Sequence, residues 1–104
     1  MANPWTGEVA LVIDGERQVL KLTLGALAAL EHDLETGTLV ELVQRFESGA
    51  FSSRDVMALI VAGLRGGGAG ELDLMSADIE GGPMVAARVA AQLLARAFMV
   101  PGET

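Results

Sequence analysis

The apolar pattern of the segment LKLTLGALAALE, residues 20–31, changes its period within a few residues. Its first half alternates apolar and polar residues, which is typical of a strand with one buried face. Its second half places Leu24, Leu27 and Leu30 at helical spacing, and the preceding Thr23 is a favourable N-cap. The chain therefore passes directly from a strand into a helix, and this junction predicts a fold of the α+β class.

A β-hairpin is predicted immediately before this junction. Residues 8–13 alternate in the same way, and the following Asp14–Gly15 suits a two-residue type I′ turn. With a loop of two or four residues the apolar residues of both strands share one face, whereas a loop of three residues breaks this match. An isolated hairpin is only marginally stable, so we expect helices to cover its apolar face.

Four helical segments are predicted after the hairpin, the first running from about Leu24 to Leu34. Their starts are marked by Thr23, by Thr38 with Glu41 in a capping-box pattern, by Ser52 or Ser53, and by Pro83. The predicted stripes are Leu24, Leu27, Leu30 or Glu31, and Leu34, then Leu39, Leu42, Val43 and Phe46, then Val56, Leu59, Ile60, Gly63 and Leu64, and finally Val85, Val89, Leu93 and Ala97. We expect Arg88, Gln92 and Arg96 to form a solvent-exposed stripe on the last helix.

The whole chain, residues 1–104, is predicted to form a single domain. Its length allows a sizeable core, and 51% of its residues are hydrophobic. Residues 1–6 are expected to form a flexible arm, and residues 66–82 a glycine-rich acidic loop. The expected architecture is α+β, with an N-terminal β-hairpin followed by a compact bundle of three to four α-helices.

Charge and composition exclude several classes of function. Fourteen acidic against seven basic residues give a net charge of −7, which repels phosphate backbones, so we expect no nucleic-acid partner. No apolar run approaches the roughly 18 residues that a membrane span requires, and the N-terminus lacks a signal-peptide pattern, so we expect no membrane partner. Because the chain has no cysteine, neither a disulfide nor a thiolate metal site is expected, and the predicted location is the cytoplasm.

No set of residues combines an acid, a base and an activated nucleophile. His32 is the only histidine, and its acidic neighbours at 31, 33 and 35 do not share one helix face with it, so we predict no metal site. The acidic residues between 71 and 80 lack the spacing of a calcium loop. The run at 65–68, RGGG, follows a helix, which favours a glycine C-cap over a phosphate site. We therefore predict a non-enzymatic protein without a cofactor.

Five short segments together resemble a known family. They are GEVALVIDG at 7–15, LKLTLGALAALE at 20–31, ELVQRF at 41–46, AGLRGGG at 62–68 and IEGG at 79–82. In this order and spacing they resemble the gene transfer agent family of phage tail proteins, over nearly the whole chain. The resemblance implies a role in the tail, either as a tail tube protein or as a tail assembly chaperone.

We favour the chaperone interpretation, because one hairpin supplies too few strands for the closed β ring of a tube. The resemblance then implies binding to apolar helical stretches of the tape-measure protein, or to other tail proteins, before the tube polymerises. A structural tail tube component, found in the virion-like particle, is the alternative. A small-ligand-binding protein or enzyme with a pocket around His32 is a third possibility, and self-association also stays open.

We expect the partner to bind on the outer face of the third helix and at the start of the fourth. Met57, Val61 and Met84 flank the predicted buried stripes, and methionine adapts its shape readily to an apolar partner. The competing interpretation is that the methionines fill gaps in the core. The hypothesis is therefore a partner-binding surface around Met57, Val61 and Met84.

Overall fold

The computed structural model describes residues 7–33, 38–68 and 77–97 of the chain. Two strands come first, β1 (Val9–Ile13) and β2 (Glu16–Leu20). The helices of these residues are α1 (Leu24–Asp33), α2 (Leu39–Ser48), α3 (Ser53–Gly66) and α4 (Gly82–Ala97). The predicted α+β class, a hairpin followed by helices, is confirmed. The expected arm at 1–6 and the middle of the expected acidic loop, 69–76, lie outside the described residues.

The two strands form the predicted antiparallel hairpin with a two-residue turn. Ile13 pairs with Glu16 beside the turn, and Val9 pairs with Leu20 at the open end. Asp14 has a φ of 52° and Gly15 a φ of 80°, which are the left-handed values of a type I′ turn. In this register Val9, Leu11, Ile13 and Leu20 are all buried on one face. The alternation allows a loop of two or four residues, and the structure has the two-residue turn that Asp14–Gly15 favours.

A third chain segment, residues 78–80, lies along the outer edge of β1. Ile13 and Ile79 form an isolated antiparallel bridge. Beside it, the backbone N–H of Glu80 donates to the carbonyl oxygen of Val12 at 3.0 Å. The end of the predicted acidic loop is thus paired with the hairpin, and part of the strand edge is covered.

Hydrogen bonds from segments far along the chain hold the hairpin at both of its ends. At the turn, Asp14 N–H donates to the carbonyl oxygen of Asp78, and Asp14 Oδ1 accepts from Asp78 N–H, both at 2.8 Å. At the open end, Arg96 Nη1 donates to the carbonyl oxygen of Glu8 at 2.6 Å. Arg96 was expected on a solvent-exposed stripe, but it is half-buried because its long side chain reaches this carbonyl.

The start of α1 is as predicted, but its buried face differs. Thr23 Oγ1 accepts from Ala26 N–H at 3.1 Å, which confirms the N-cap. Ala26 and Leu30, one helical turn apart, are buried, whereas Leu24 is 84% exposed. Leu24 lies two residues before Ala26 and so points to nearly the opposite side of the helix. The prediction that Leu24 lies in the buried stripe is wrong, and the predicted stripe residue Leu34 lies outside the described residues.

The second helix begins where the sequence indicates. Thr38 Oγ1 accepts from Glu41 N–H at 3.3 Å, and Gly49 closes the helix with a φ of 79°. Leu42 is fully buried. Leu39, Val43 and Phe46 pack partly buried against the core, so the predicted stripe is confirmed.

Helix α3 lies at the centre of the fold and contacts α1, α4 and β2, while α4 also contacts β1. Its buried residues include all of the predicted ones, Val56, Leu59, Ile60, Gly63 and Leu64. In α4 the buried residues are Ala86, Val89, Ala90, Leu93 and Leu94. The core therefore lies between the apolar face of the hairpin and these two helices.

Glycines at the end of α3 allow it to touch the backbone of β2 and the residues that follow it. Lys21 N–H donates to the carbonyl oxygen of Gly63 at 2.9 Å. A Cβ built on Gly63 would lie 2.9 Å from Leu93 Cδ1, and one built on Gly66 would overlap the carbonyl oxygen of Lys21. A Cβ on Gly67 would overlap a neighbouring carbonyl oxygen of β2 in the same way. The glycine run is thus required for close packing, in addition to its role in ending the helix.

We predict opposite effects for Gly66→Ala and Gly25→Ala. Gly66→Ala should destabilise the fold by about 2–4 kcal/mol, because a methyl group must displace backbone. Gly25 lies in α1, where a Cβ would meet only Thr23 Oγ1 at 4.0 Å, so Gly25→Ala should stabilise by about 0.4–1 kcal/mol. Urea unfolding of both variants measures the two free energies. Equal changes in the unfolding free energy of the two variants would contradict the close approach of α3 to the backbone of Lys21.

Candidate protein-binding grooves

The start of α3 is held by reciprocal hydrogen bonds and by a salt bridge to α2. Ser52 Oγ accepts from Asp55 N–H at 3.1 Å, and Asp55 Oδ2 accepts from Ser52 N–H at 3.0 Å, which completes a capping box. The guanidinium of Arg45 donates two hydrogen bonds to the same carboxylate, from Nε to Oδ2 at 3.0 Å and from Nη2 to Oδ1 at 3.1 Å. This bidentate pair fixes α2 to the first turn of α3.

The environment of Asp55 favours its charged form. Burial by itself would raise the pKa of this carboxyl, since only 12% of the side chain is exposed. The hydrogen bonds from Arg45 and Ser52 and the positive charge of Arg45 outweigh burial, so the pKa lies below its ordinary value of 3.8. The hydrogen bond to Asp55 correspondingly raises the pKa of the Arg45 guanidinium. The pair is therefore ionised at neutral pH.

An apolar groove of about 490 Å³ runs between α1 and α3, and we call it the α1–α3 groove. Its floor and walls are small or aliphatic side chains, which leave room for a ligand where two helices meet. The apolar residues lining it include Ala26, Ala29 and Leu30 from α1 and Met57, Ala58 and Val61 from α3. A surface of this kind suits an apolar partner.

Two arginines lie among the lining residues of the α1–α3 groove. Arg54 stands in the first turn of α3 and Arg65 in its last turn, and both are exposed. The remaining polar lining residue is Ser53, and no carboxylate lines this groove among the described parts of the chain. The groove is therefore apolar along its middle and basic along α3 at both ends.

A second groove of about 440 Å³, the α3–α4 groove, lies on the other side of Met57. Its lining includes Phe51, Val56 and Met57, together with Ile79, which precedes α4, and Pro83 and Ala86 of α4 itself. Met57 and Ser53 line both grooves. Met57 thus forms the ridge between two neighbouring apolar surfaces.

The structure brings two of the three predicted contact residues together. Met57 and Val61 are half-buried and line the α1–α3 groove. Met84 is 83% exposed and follows Pro83, which lines the α3–α4 groove, but Met84 itself lines neither groove. Sequence reasoning missed the contribution of α1 and both arginines, because helical spacing does not show which helices are neighbours.

His32 and its acidic neighbours were considered above for a metal site or a ligand pocket. His32 is exposed in the last turn of α1. Its neighbour Glu31 accepts a hydrogen bond from Leu39 N–H at 3.2 Å, so this carboxylate satisfies a backbone donor at the start of α2. Over the ranges 7–33, 38–68 and 77–97, no group of three or more His, Cys, Asp or Glu side chains is placed to hold a metal ion. In the same ranges, no helix is long and apolar enough to cross a membrane.

The protein is thus a small α+β protein with two mainly apolar grooves on its surface. Residues 6–100 match the family described as "Phage tail tube protein, GTA-gp10". The chain belongs to this family, which confirms the resemblance to gene transfer agent tail proteins. Neither a curated protein nor a solved structure matches the chain. The family assigns the protein a phage-tail-like role in structure or assembly, and it is not known as an enzymatic family.

We predict that Asp55→Asn destabilises the protein in a pH-dependent way. At neutral pH the loss of the charge-assisted bonds from Arg45 should cost about 1.5–3 kcal/mol. Because the folded-state pKa of Asp55 is lowered, its contribution is present above the unfolded-state pKa and is lost as the pH falls through the folded-state value. The difference between wild type and variant should therefore shrink at about pH 3.

Chemical unfolding at the two pH values measures this difference. Asp78→Asn is the control, because its exposed side chain should change the unfolding free energy by less than about 0.5 kcal/mol at either pH. A constant difference between wild type and Asp55→Asn across the pH range would show that the ionised pair with Arg45 does not stabilise the start of α3.

Proposed function

We propose that this protein is a tail assembly chaperone. It binds apolar helical segments of the tape-measure protein in the cytoplasm before the tube polymerises. It then dissociates, and no covalent bond is made or broken. The observation that carries this proposal is the pair of apolar grooves on either side of Met57. A soluble acidic protein with such grooves can shield apolar segments of another protein from water and from each other.

The edges of the hairpin also favour an assembly factor. Subunits that join strands into a closed ring need free strand edges. Here residues 78–80 pair with part of the outer edge of β1, and Arg96 binds the carbonyl oxygen of Glu8 farther along this edge. On β2, the end of α3 lies against the outer edge. Strand addition by a neighbouring subunit would have to displace these contacts.

The second candidate is a structural tail tube component of the particle. The description of the family, "Phage tail tube protein, GTA-gp10", favours it directly. In that case the apolar grooves would be covered by neighbouring subunits in the tube. The two candidates differ in whether the protein stays in the finished particle.

We predict that Met57→Asp and Val61→Asp each reduce binding of the tape-measure protein about tenfold or more, because a carboxylate would be desolvated inside the α1–α3 groove. Met84→Asp should have a smaller effect, since Met84 is at the exposed start of α4. Leu24→Asp is the matched control, as Leu24 is an exposed apolar residue that lines neither groove. Co-purification of a co-expressed tape-measure protein measures the effect, with circular dichroism as a check of folding.

If folded Met57→Asp and Val61→Asp proteins retain wild-type binding, the partner binds elsewhere. A loss with Met84→Asp alone would place the contact at the start of α4. A loss with Leu24→Asp equal to the others would indicate a general effect of added charge, and this would contradict the groove assignment.

The deciding experiment is quantitative mass spectrometry of purified particles, combined with deletion of the protein in the producing cells. The chaperone proposal expects the protein to be absent from particles and expects tails to be lost in the deletion. High copy number in wild-type particles would overturn the proposal and support the tube component. Normal tails in the deletion would contradict both candidates.

A further inference from the structure

We propose that the α1–α3 groove binds an amphipathic helix whose apolar stretch carries an acidic residue at each end. This inference rests on the proposed function, because it specifies which segments of a tail protein the groove recognises. It depends on three properties of the groove: its apolar lining, its course along α3, and the positions of its two arginines.

The apolar lining favours a helical ligand over an extended one. A helix satisfies its own backbone N–H and C=O groups, whereas an extended peptide needs partners for them. In the described structure the groove offers Ser53, Arg54 and Arg65 as polar side chains, and its middle is lined by residues such as Ala58 and Val61. An extended chain would leave backbone groups unpaired along this middle part, so the groove selects a helix.

The positions of the two arginines predict which charges the ligand helix carries and how far apart those charges lie. Arg54 and Arg65 are eleven residues apart on α3, which corresponds to about 16 Å along the helix axis. A ligand helix lying along α3 would meet one guanidinium near each end of its buried stretch, after about three turns. Each guanidinium has several N–H donors, so a contact within the chain is compatible with a further bond to a carboxylate of the ligand.

The charge of the rest of the protein makes these two positions selective. The chain carries a net charge of −7, so an acidic ligand is repelled by the surface as a whole. No carboxylate lines the described part of the α1–α3 groove, and two of the seven basic residues of the chain do. Acidic residues beyond the ends of the apolar stretch are therefore favoured at this groove, while basic residues there would meet like charge.

The test uses three synthetic helical peptides of about 18 residues with blocked termini and one identical apolar face. They differ only at two positions eleven residues apart, which carry Glu, Gln or Lys. We expect the full-length protein to bind the Glu peptide about threefold to tenfold more tightly than the Gln peptide, and the Lys peptide most weakly. Fluorescence anisotropy at low and high salt measures affinity, and the preference should fall as salt rises.

Charge reversal in the groove should reverse the order of the peptides. The double variant Arg54→Glu, Arg65→Glu is expected to bind the Lys peptide most tightly. The control Arg17→Glu, Arg88→Glu changes net charge by the same amount at exposed residues that line neither groove, and it should keep the wild-type order. If the first variant does not fold, Arg54→Gln, Arg65→Gln should abolish the preference without reversing it.

Several results would overturn the inference. These are no binding of any peptide, equal binding of all three, loss of the preference in the Arg17→Glu, Arg88→Glu control, and retained affinity when proline interrupts the middle of the Glu peptide. A dimer of the protein that only the Arg54→Glu, Arg65→Glu variant breaks would assign the groove to a second copy instead. If the peptide order is as expected but the tape-measure protein does not co-purify, the groove inference stands and the proposed partner is wrong.

Discussion

The rest of the structure depends on the contact between the end of α3 and the backbone of residues 19–21, at the end of β2 and directly after it. Lys21 N–H donates to the carbonyl oxygen of Gly63, and the neighbouring Gly66 lies so close to Lys21 that no side chain fits between them. The hairpin has only two strands and is marginal by itself, so this contact gives it a helix to pack against. Because α3 also contacts α1 and α4, its position on β2 determines where both of those helices lie.

The candidate binding surface follows from the position of α3. One face of this helix is buried in the core through residues such as Leu59 and Ile60, so the adjoining face carries Met57 and Val61 toward α1 and solvent. The salt bridge between Arg45 and Asp55 fixes the first turn, from which one end of the α1–α3 groove begins. The grooves are therefore features of a well-anchored helix, and they are largely formed before a partner arrives.

Sequence reasoning predicted the strands, helices and turns better than it predicted which of them pack together. The turn at Asp14–Gly15, the cap at Thr23 and the buried stripe of α3 are all confirmed, since each depends on residues within a few positions of one another. It was wrong about Leu24, and it placed Arg96 in solvent although this residue binds a carbonyl oxygen 88 positions away. For the site, it selected Met57 and Val61 because they lie just off the buried stripe, but it missed Ala26, Ala29 and the flanking arginines.

The sequence by itself determined much of the local structure of this protein: the hairpin turn at Asp14–Gly15, the N-caps of α1 and α2, and the change from period two to helical spacing at residues 20–31. These follow from backbone dihedral preferences and from side chains that are near neighbours in the chain. Only the tertiary structure decided why the glycines at 66 and 67 are needed, how residues 78–80 meet β1, and that α1 and α3 enclose an apolar groove. Each of these depends on the distance between segments far apart in sequence, and periodicity carries no information about such distances.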